Sequence, residues 1–339
     1  MKAYVVKKGS KDLNGVKQIN RPKPKPGDTE ILVRMRAASL NYRDQMIITG
    51  NYPGGSVQRD TILLSDGAGE VVEAGSKVTR FKKGDRVAGT FFQNWLDGAT
   101  PTQRIALGSP LDGVLAEYAV FDQDGAVPVP GNLSLEEAAC LPCAGVTAWN
   151  ALMVSGRQLQ PGDTVLVLGT GGVSIFGLQF GKAAGCTVIV TSSSDQKLKK
   201  AKRLGADHLI NYKTTPDWEK AVLAATGGKG ADCIVEVGGL ATLTKSMQCV
   251  AMDGKIGIIG FLAGPGEGGV NPIMVAYRAA AIHGISVGSR RMFEDMNAAI
   301  EANGIKPAID KVFPFDKAVD AIRHAQKQKF FGKIVIGIG

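Results

Sequence analysis

No run of about 18 uninterrupted apolar residues, the length a membrane-crossing helix needs, occurs anywhere in the sequence. The opening Met1-Lys2-Ala3-Tyr4-Val5-Val6 is a polar-flanked strand without an apolar leader core. No membrane partner or export signal is therefore expected, and the expected compartment is the cytoplasm. Cysteine is scarce and odd in number: Cys140, Cys143, Cys186, Cys233 and Cys249 are scattered, mostly inside apolar runs. Such spacing excludes a disulfide framework and suits a reducing compartment. The 44 glycines have no fixed period, which excludes a collagen-like or low-complexity chain. They fall in short groups between apolar runs, where tight turns need them.

Forty Lys and Arg against 31 Asp and Glu leave a formal charge of +9. The basic residues are dispersed, and the densest runs are a proline-stiffened loop from Arg21 to Pro26 and one face of a helix from Lys197 to Arg203. A specific nucleic-acid partner is not expected, and an anionic small ligand accounts for part of the excess. With 44% hydrophobic and 21% charged residues, the composition is that of an ordinary globular protein, and 339 residues suggest two domains.

From Asp163 the chain alternates regularly. Thr164-Val165-Leu166-Val167-Leu168 is a buried strand, Gly169-Thr170-Gly171-Gly172 a turn, and an apolar helix runs to Ala184. Further strands are expected at Thr187–Val190, His208–Ile210, Cys233–Val237, Lys255–Ile259 and Ile282–Val287. The helices between them are expected at Asp195–Leu204, Pro216–Thr226, Leu240–Ala251 and Met274–Ala280. Six apolar strands alternating with helices predict a doubly wound, six-stranded parallel sheet. The first 130 residues instead show short alternating strands between Gly and Pro turns, which is antiparallel β patterning. Ser134-Leu135-Glu136-Glu137 is a capping box expected to open a helix toward Trp149. The last strand, around Phe330 to Ile336, cannot extend a complete six-stranded sheet and is expected to return to the first domain. The expected fold class is α/β, with a mainly antiparallel domain over 1–144 and 287–339 and a Rossmann domain over 145–286.

Gly169-Thr170-Gly171-Gly172-Val173-Ser174 fits G-x-G-x-x-G except at its last position, where serine replaces the helix-packing glycine. Gly169, Gly171, Gly172 and Val173 are thus candidate pyrophosphate contacts, because the turn brings backbone amides close to an anion at the positive end of a helix. NAD sites usually place an acid about twenty residues on. Here Thr191-Ser192-Ser193-Ser194 occupies that segment, with Lys197 beyond it. Serine hydroxyls and an ammonium suit the 2′-phosphate of NADPH, although the serines also suit a helix cap, and NADH remains open as a second cofactor.

Several ordered segments carry a resemblance. Ala37 to Asp44, Ser65 to Val71, Phe81 to Val87, Cys143 to Trp149 and the glycine turn resemble the medium-chain dehydrogenase/reductase superfamily over nearly the full length, in particular its zinc-independent quinone- and enone-reductase-like members. The resemblance implies a GroES-like catalytic domain, a small-molecule substrate and a homodimer. Zinc alcohol dehydrogenases of the superfamily place Cys, His and Cys where this chain has Asn41, Ser65 and Cys143, and no cysteine lies between Val87 and Cys140 for a structural zinc. Asparagine and serine are poor zinc ligands, so no metal is expected. The resemblance further assigns Thr147 to the nicotinamide, Ser193, Lys197 and Tyr212 to the 2′-phosphate, Gly260, Phe261 and Leu262 to the ribose and amide, and Lys333 to the cofactor's surroundings. Asn41, Tyr42, Asp44, Tyr52 and Asp66 are the polar groups available on the cleft side. Tyr52 matches a proton donor of enoyl-thioester reductases and equally suits a packed loop aromatic, while Asn41 is placed to orient a substrate carbonyl or the ribose. Phe91, Phe92 and Trp95 either wall the cleft or belong to the core. Carbonyl and alkene reduction stay undivided, and a non-catalytic NADPH-sensing or RNA- or protein-binding role is the alternative to an enzyme.

Overall fold

The computed structural model describes residues 1–53, 55–260, 262 and 269–339. Met1–Val146 with Gly288–Gly339 form one compact unit, and Thr147–Val287 form a second.

The chain opens with β1 (Lys2–Val6), β2 (Val16–Asn20), β3 (Glu30–Ser39), α1 (Tyr42–Thr49), β4 (Thr61–Ile62), β5 (Asp66–Ala74), β6 (Arg86–Gly89), β7 (Tyr118–Asp122) and β8 (Ala126–Pro128). Antiparallel pairing joins β1 to β2 and β4, and β3 to β5 and β7. Strand β3 is covered on both faces, burying Ile31, Leu32, Val33 and Met35, and so reads as a nearly continuous apolar run.

Helices α2 (Leu135–Ala138) and α3 (Val146–Trp149) follow, with π-helical turns at Leu141–Gly145 and Asn150–Val154. The Ser134 capping box is present: Ser134 Oγ accepts from Glu137 N, and Glu137 Oε2 accepts from Ser134 N at 2.8 Å. The single helix expected to reach Trp149 is not. Pro142 has no N–H to donate to the preceding turn, so the regular helix stops and resumes in short pieces.

The second unit contains β9 (Thr164–Val167), α4 (Gly172–Ala183), β10 (Thr187–Ser192), α5 (Asp195–Arg203), β11 (His208–Asn211), α6 (Trp218–Ala225), β12 (Ala231–Glu236), α7 (Leu240–Cys249), β13 (Val250–Ile258), α8 (Pro272–Tyr277) and β14 (Ala281–Gly284). Its six strands are parallel in the order β11-β10-β9-β12-β13-β14, and the order reverses between β9 and β12. The expected alternation is therefore present, with shifted ends. Helix α8 begins at Pro272 because Asn271 Oδ1 accepts from Ile273 N, and it is over before Ala279, whose φ is +48°. Helix α4 lies close to its strands through two glycines four residues apart. A Cβ on Gly177 would stand 3.1 Å from Val167 Cγ1, and one on Gly181 would stand 2.9 Å from Val188 Cγ2.

The chain then returns to the first unit through α9 (Arg290–Ala302), β15 (Ile309–Pro314), α10 (Ala318–Gln326) and β16 (Lys333–Gly337). Strand β16 runs parallel to β15 and antiparallel to β3, with Val335 opposite Ser39 and Ile336 opposite Ala38. This register sets Lys333, at the start of β16, beside the end of β3, where Leu40 and Asn41 lead into α1.

Candidate functional site

In the second unit, Gly169 takes a φ of +75° two residues after β9 ends at Val167, a conformation only glycine adopts without strain. Its N–H donates to Thr191 Oγ1 at 3.2 Å, tying the turn to β10. Helix α4 starts at Gly172 with Gly171 as its N-cap and no side chain capping it, so its first amides are left for a ligand or water. A Cβ on Gly169 or Gly171 would meet nothing within 4 Å, so space lies open at the turn. Exposed amides, a positive helix end and free space fit the pyrophosphate of a dinucleotide. Ser174 is buried and donates from Oγ to Leu168 O at 2.7 Å, so the serine at the motif's last position ties helix to strand. The close packing that a third motif glycine supplies comes instead from Gly177 and Gly181, which sequence inspection passed over. Their four-residue spacing was the available signal.

At the ends of β10 and β11 the structure brings Ser192 and Tyr212 together, with Ser193 following Ser192 and Lys197 in the first turn of α5. Ser192 and Asn211 are strand partners, and Tyr212 N donates to Ser192 O at 3.1 Å. Ser192 is buried and its Oγ accepts from Ser194 N at 3.3 Å, whereas Ser193 and Lys197 are half-buried and Tyr212 is 41% exposed. The cap of α5 is Ser194, whose Oγ accepts from Lys197 N at 3.4 Å. The nearest acid, Asp195, is held by Asn211 Nδ2 at 2.7 Å. Gly260 and Leu262 follow β13 and lie against the end of β12, where Leu262 N donates to Val237 O at 3.0 Å. Phe261 lies outside the described residues. Thr147 is buried in α3. Fully buried Glu236 was not anticipated: it accepts from the amides of Gly238 and Gly239 and from the hydroxyls of Thr242 and Ser246, pinning the glycine turn between β12 and α7.

In the first unit, a single hydrogen-bond chain gathers Lys333, Asn41, Ser65, Asp66 and Cys143. Lys333, 3% exposed, donates from Nζ to Leu40 O at 2.7 Å and to Asn41 Oδ1 at 2.6 Å, and stands 3.9 Å from Asp66 Oδ2. Asn41 Nδ2 lies 3.5 Å from Ser65 Oγ, and Ser65 donates to Asp66 Oδ1 at 2.7 Å. Asp66 Oδ2 accepts from Cys143 N at 2.9 Å. Cys143 keeps some surface, yet burial around its thiol, reinforced by the Asp66 charge, pushes it up to about 12, so the thiol stays protonated. These residues do not fit a zinc ion. Two of the three positions are an amide and a hydroxyl, which are poor ligands for zinc, and an ammonium already stands beside the amide.

One expectation about the cleft is corrected, and one open alternative is decided. Asp44 offers no surface: it is fully buried, and its Oδ2 accepts from Asn41 N at 2.7 Å, closing the first turn of α1. Phe91, Phe92 and Trp95 are core residues rather than a cleft wall, with Phe91 and Phe92 packed edge to face at 4.7 Å. Arg43 organises this region and was not anticipated. Its guanidinium lies between the rings of Tyr52 and Phe91, 4.9 and 4.5 Å from their centroids, and donates to Leu107 O and Ser109 O. The Tyr52 ring is therefore both a packed aromatic and half-exposed.

Comparison with known proteins agrees with these two constructions. Residues 27–131 match the alcohol dehydrogenase GroES-like domain family, and 172–302 match the zinc-binding dehydrogenase family. The chain is 50% identical over 316 residues, 91% of either chain, to a zinc-type alcohol dehydrogenase-like protein of Schizosaccharomyces pombe. It is 31% identical over 320 residues, 92% of either chain, to a quinone oxidoreductase of Pseudomonas aeruginosa. The solved structure of an NAD-dependent alcohol dehydrogenase superposes with a TM-score of 0.91 at 32% identity, covering 100% of both chains. The chain belongs to the medium-chain dehydrogenase/reductase superfamily, and it is an oxidoreductase of that fold.

Burial raises the Asp44 carboxyl from 3.8 to about 6, offset in part by Arg43. Because the folded value lies above the unfolded one, the unfolded chain loses this proton first as pH rises, and folding loses stability between about pH 4 and 6. Asp44→Asn removes that loss while keeping an oxygen for Asn41 N. The stability difference between variant and wild type should shift toward the variant by about 3 kcal/mol from pH 4 to 6, at about 1.4 kcal/mol per pKa unit, and stay level above it. Urea unfolding across this range checks the expectation, and a difference that does not change with pH contradicts it.

Proposed function

We propose that this protein is a metal-free, NADP(H)-preferring oxidoreductase that moves a hydride to or from a small carbonyl, quinone or activated alkene, with NADH as a usable second cofactor. The observation that carries the proposal is the open glycine turn at α4 combined with an end of β10 that carries serines in place of an acid. An acid at that position would repel a 2′-phosphate, whereas Ser193, Lys197 and Tyr212 offer donors and a positive charge. The amides of Gly171, Gly172 and Val173 would hold the pyrophosphate in the turn that Gly169 shapes, and Thr147, Gly260 and Leu262 would line the nicotinamide end. When bound, the dinucleotide supplies or takes up the hydride.

The chain's own groups supply the rest. Asn41 holds the substrate oxygen, which gains an electron pair as the substrate carbon is reduced, and a proton from Tyr52 or water then completes the product. The donor set at Asn41, Ser65 and Cys143 supports a reaction without zinc. Tyr52 follows α1, whose eight residues at a helical rise of 1.5 Å span roughly 12 Å beyond Asn41. Its hydroxyl has to reach back over Arg43 to serve the same substrate.

Three outcomes test the proposal. A panel of 1,4-naphthoquinone, cinnamaldehyde and 2-cyclohexen-1-one should oxidise NADPH in the presence of the enzyme, and the cinnamaldehyde product separates carbonyl from alkene reduction. Lys197→Ala, by losing a charge-assisted hydrogen bond, should weaken NADPH binding by about ten- to a hundredfold and leave NADH nearly unchanged. Equal losses for both cofactors would assign Lys197 to the fold. Tyr52→Phe should lower kcat by about 10²–10⁴ without altering NADPH affinity if Tyr52 is the proton donor. Undiminished kcat assigns the proton to water.

A further inference from the structure

We infer that Lys333 is a positioning residue for Asn41, and that the side chain it fixes presents Nδ2 as the hydrogen-bond donor to a carbonyl or quinone oxygen of the substrate; this rests on the oxidoreductase function proposed above. An ammonium only donates, so the Asn41 atom 2.6 Å from Lys333 Nζ has to be the amide oxygen. Each later contact runs the same way. Asn41 Nδ2 faces Ser65 Oγ, and the Ser65 hydroxyl proton is committed to Asp66 Oδ1 at 2.7 Å. Rotating the amide by half a turn would set NH₂ against the ammonium and leave Oδ1 facing a serine oxygen with no proton to share. The amide orientation is thus fixed at both ends by charge, from Lys333 at one end to Asp66 at the other.

The chain leaves one donor group underused. Lys333 spends two protons on Leu40 O and Asn41 Oδ1, and its Nζ lies 3.9 Å from Asp66 Oδ2. Asn41 Nδ2 carries two protons but makes one contact, at 3.5 Å, beyond the usual range of a good hydrogen bond. No other acceptor meets it among the described residues. Arg43, the nearby alternative cation, has both terminal nitrogens turned to Leu107 O and Ser109 O and its guanidinium against two rings. A half-buried N–H held in place before the substrate arrives is suited to an oxygen on which negative charge develops. It offers nothing to a substrate that presents only donors. The site therefore selects acceptor oxygens.

Asn41→Asp separates the donor role from a merely structural one, since it keeps an oxygen for Lys333 and replaces the donor with an acceptor. The variant should remain folded by circular dichroism, with a lower melting temperature from the carboxylate oxygen set against Ser65 Oγ, and should keep its NADPH dissociation constant by fluorescence titration. Its kcat with 1,4-naphthoquinone should fall by about 10²–10³, the usual effect of deleting one oxyanion donor. Binding of N,N-dimethylcyclohexanecarboxamide, a carbonyl compound without N–H donors taken as a non-reduced probe, to the NADPH complex should weaken by about ten- to a hundredfold, with methylcyclohexane unaffected. Lys333→Met should lower kcat in the wild-type background and cost nothing further in an Asn41→Ala background. If Lys333→Met does not fold, Asn41→Asp still decides. An Asn41→Asp enzyme that turns over and binds the carboxamide like wild type overturns this inference alone, as does an equal Lys333→Met loss in both backgrounds. A wild-type chain that binds neither NADPH nor NADH overturns the proposed function and this inference with it.

Discussion

The first unit's chemistry depends on the buried contact between Lys333 and the end of β3. The Lys333 ammonium is almost fully enclosed, and an enclosed charge is stable only if the groups around it compensate the lost water. Leu40 O, Asn41 Oδ1 and the Asp66 carboxylate do so. This one requirement fixes much else. It needs β16 in register with β3, it orients the Asn41 amide, and it commits Ser65 and Asp66 to each other. It also brings the Cys143 backbone, though not its thiol, into the network. A positive charge thus stands among the positions at which zinc-dependent members of the superfamily place metal ligands, and here it is supplied by the chain itself.

The second unit solves a different problem with the opposite means. Its turn at Gly169 to Gly172 leaves amides uncommitted, because no side chain caps α4. Around that opening everything else is tied down: Ser174 to Leu168, Gly169 to Thr191, and Glu236 to the amides of the next glycine turn. A helix end can stay open for an anionic ligand only when its neighbours need none of its donors.

Much of the fold was legible in the sequence because a parallel sheet covered on both faces leaves continuous apolar runs, and the six strands of the second unit are such runs. Their ends were less legible. Asn271 as a cap and Ala279 in a left-handed conformation moved α8, and Pro142 broke the helix expected after Ser134. At the end of β10, the register that pairs Ser192 with Asn211 brings Tyr212 N to Ser192 O, a contact between neighbouring strands of the alternating pattern. The Lys333–Asn41 contact spans 292 residues, and no local pattern encodes it. Asp44 looked available because polar residues are usually exposed, yet it is fully buried and its Oδ2 accepts from the amide at the start of its own helix. The aromatic loop of Phe91, Phe92 and Trp95 read ambiguously for the converse reason, since core and cleft walls share a composition.

The central claim is that organic donors organised by Lys333 take the part a metal plays elsewhere in the superfamily. Its most direct test is single-turnover oxidation of NADPH by the protein after exhaustive dialysis against EDTA, followed by the near-ultraviolet absorbance of NADPH with 1,4-naphthoquinone in excess. The account predicts the same rate and amplitude before and after dialysis, with no gain on adding zinc. A rate that is lost on dialysis and restored by one equivalent of zinc would contradict it.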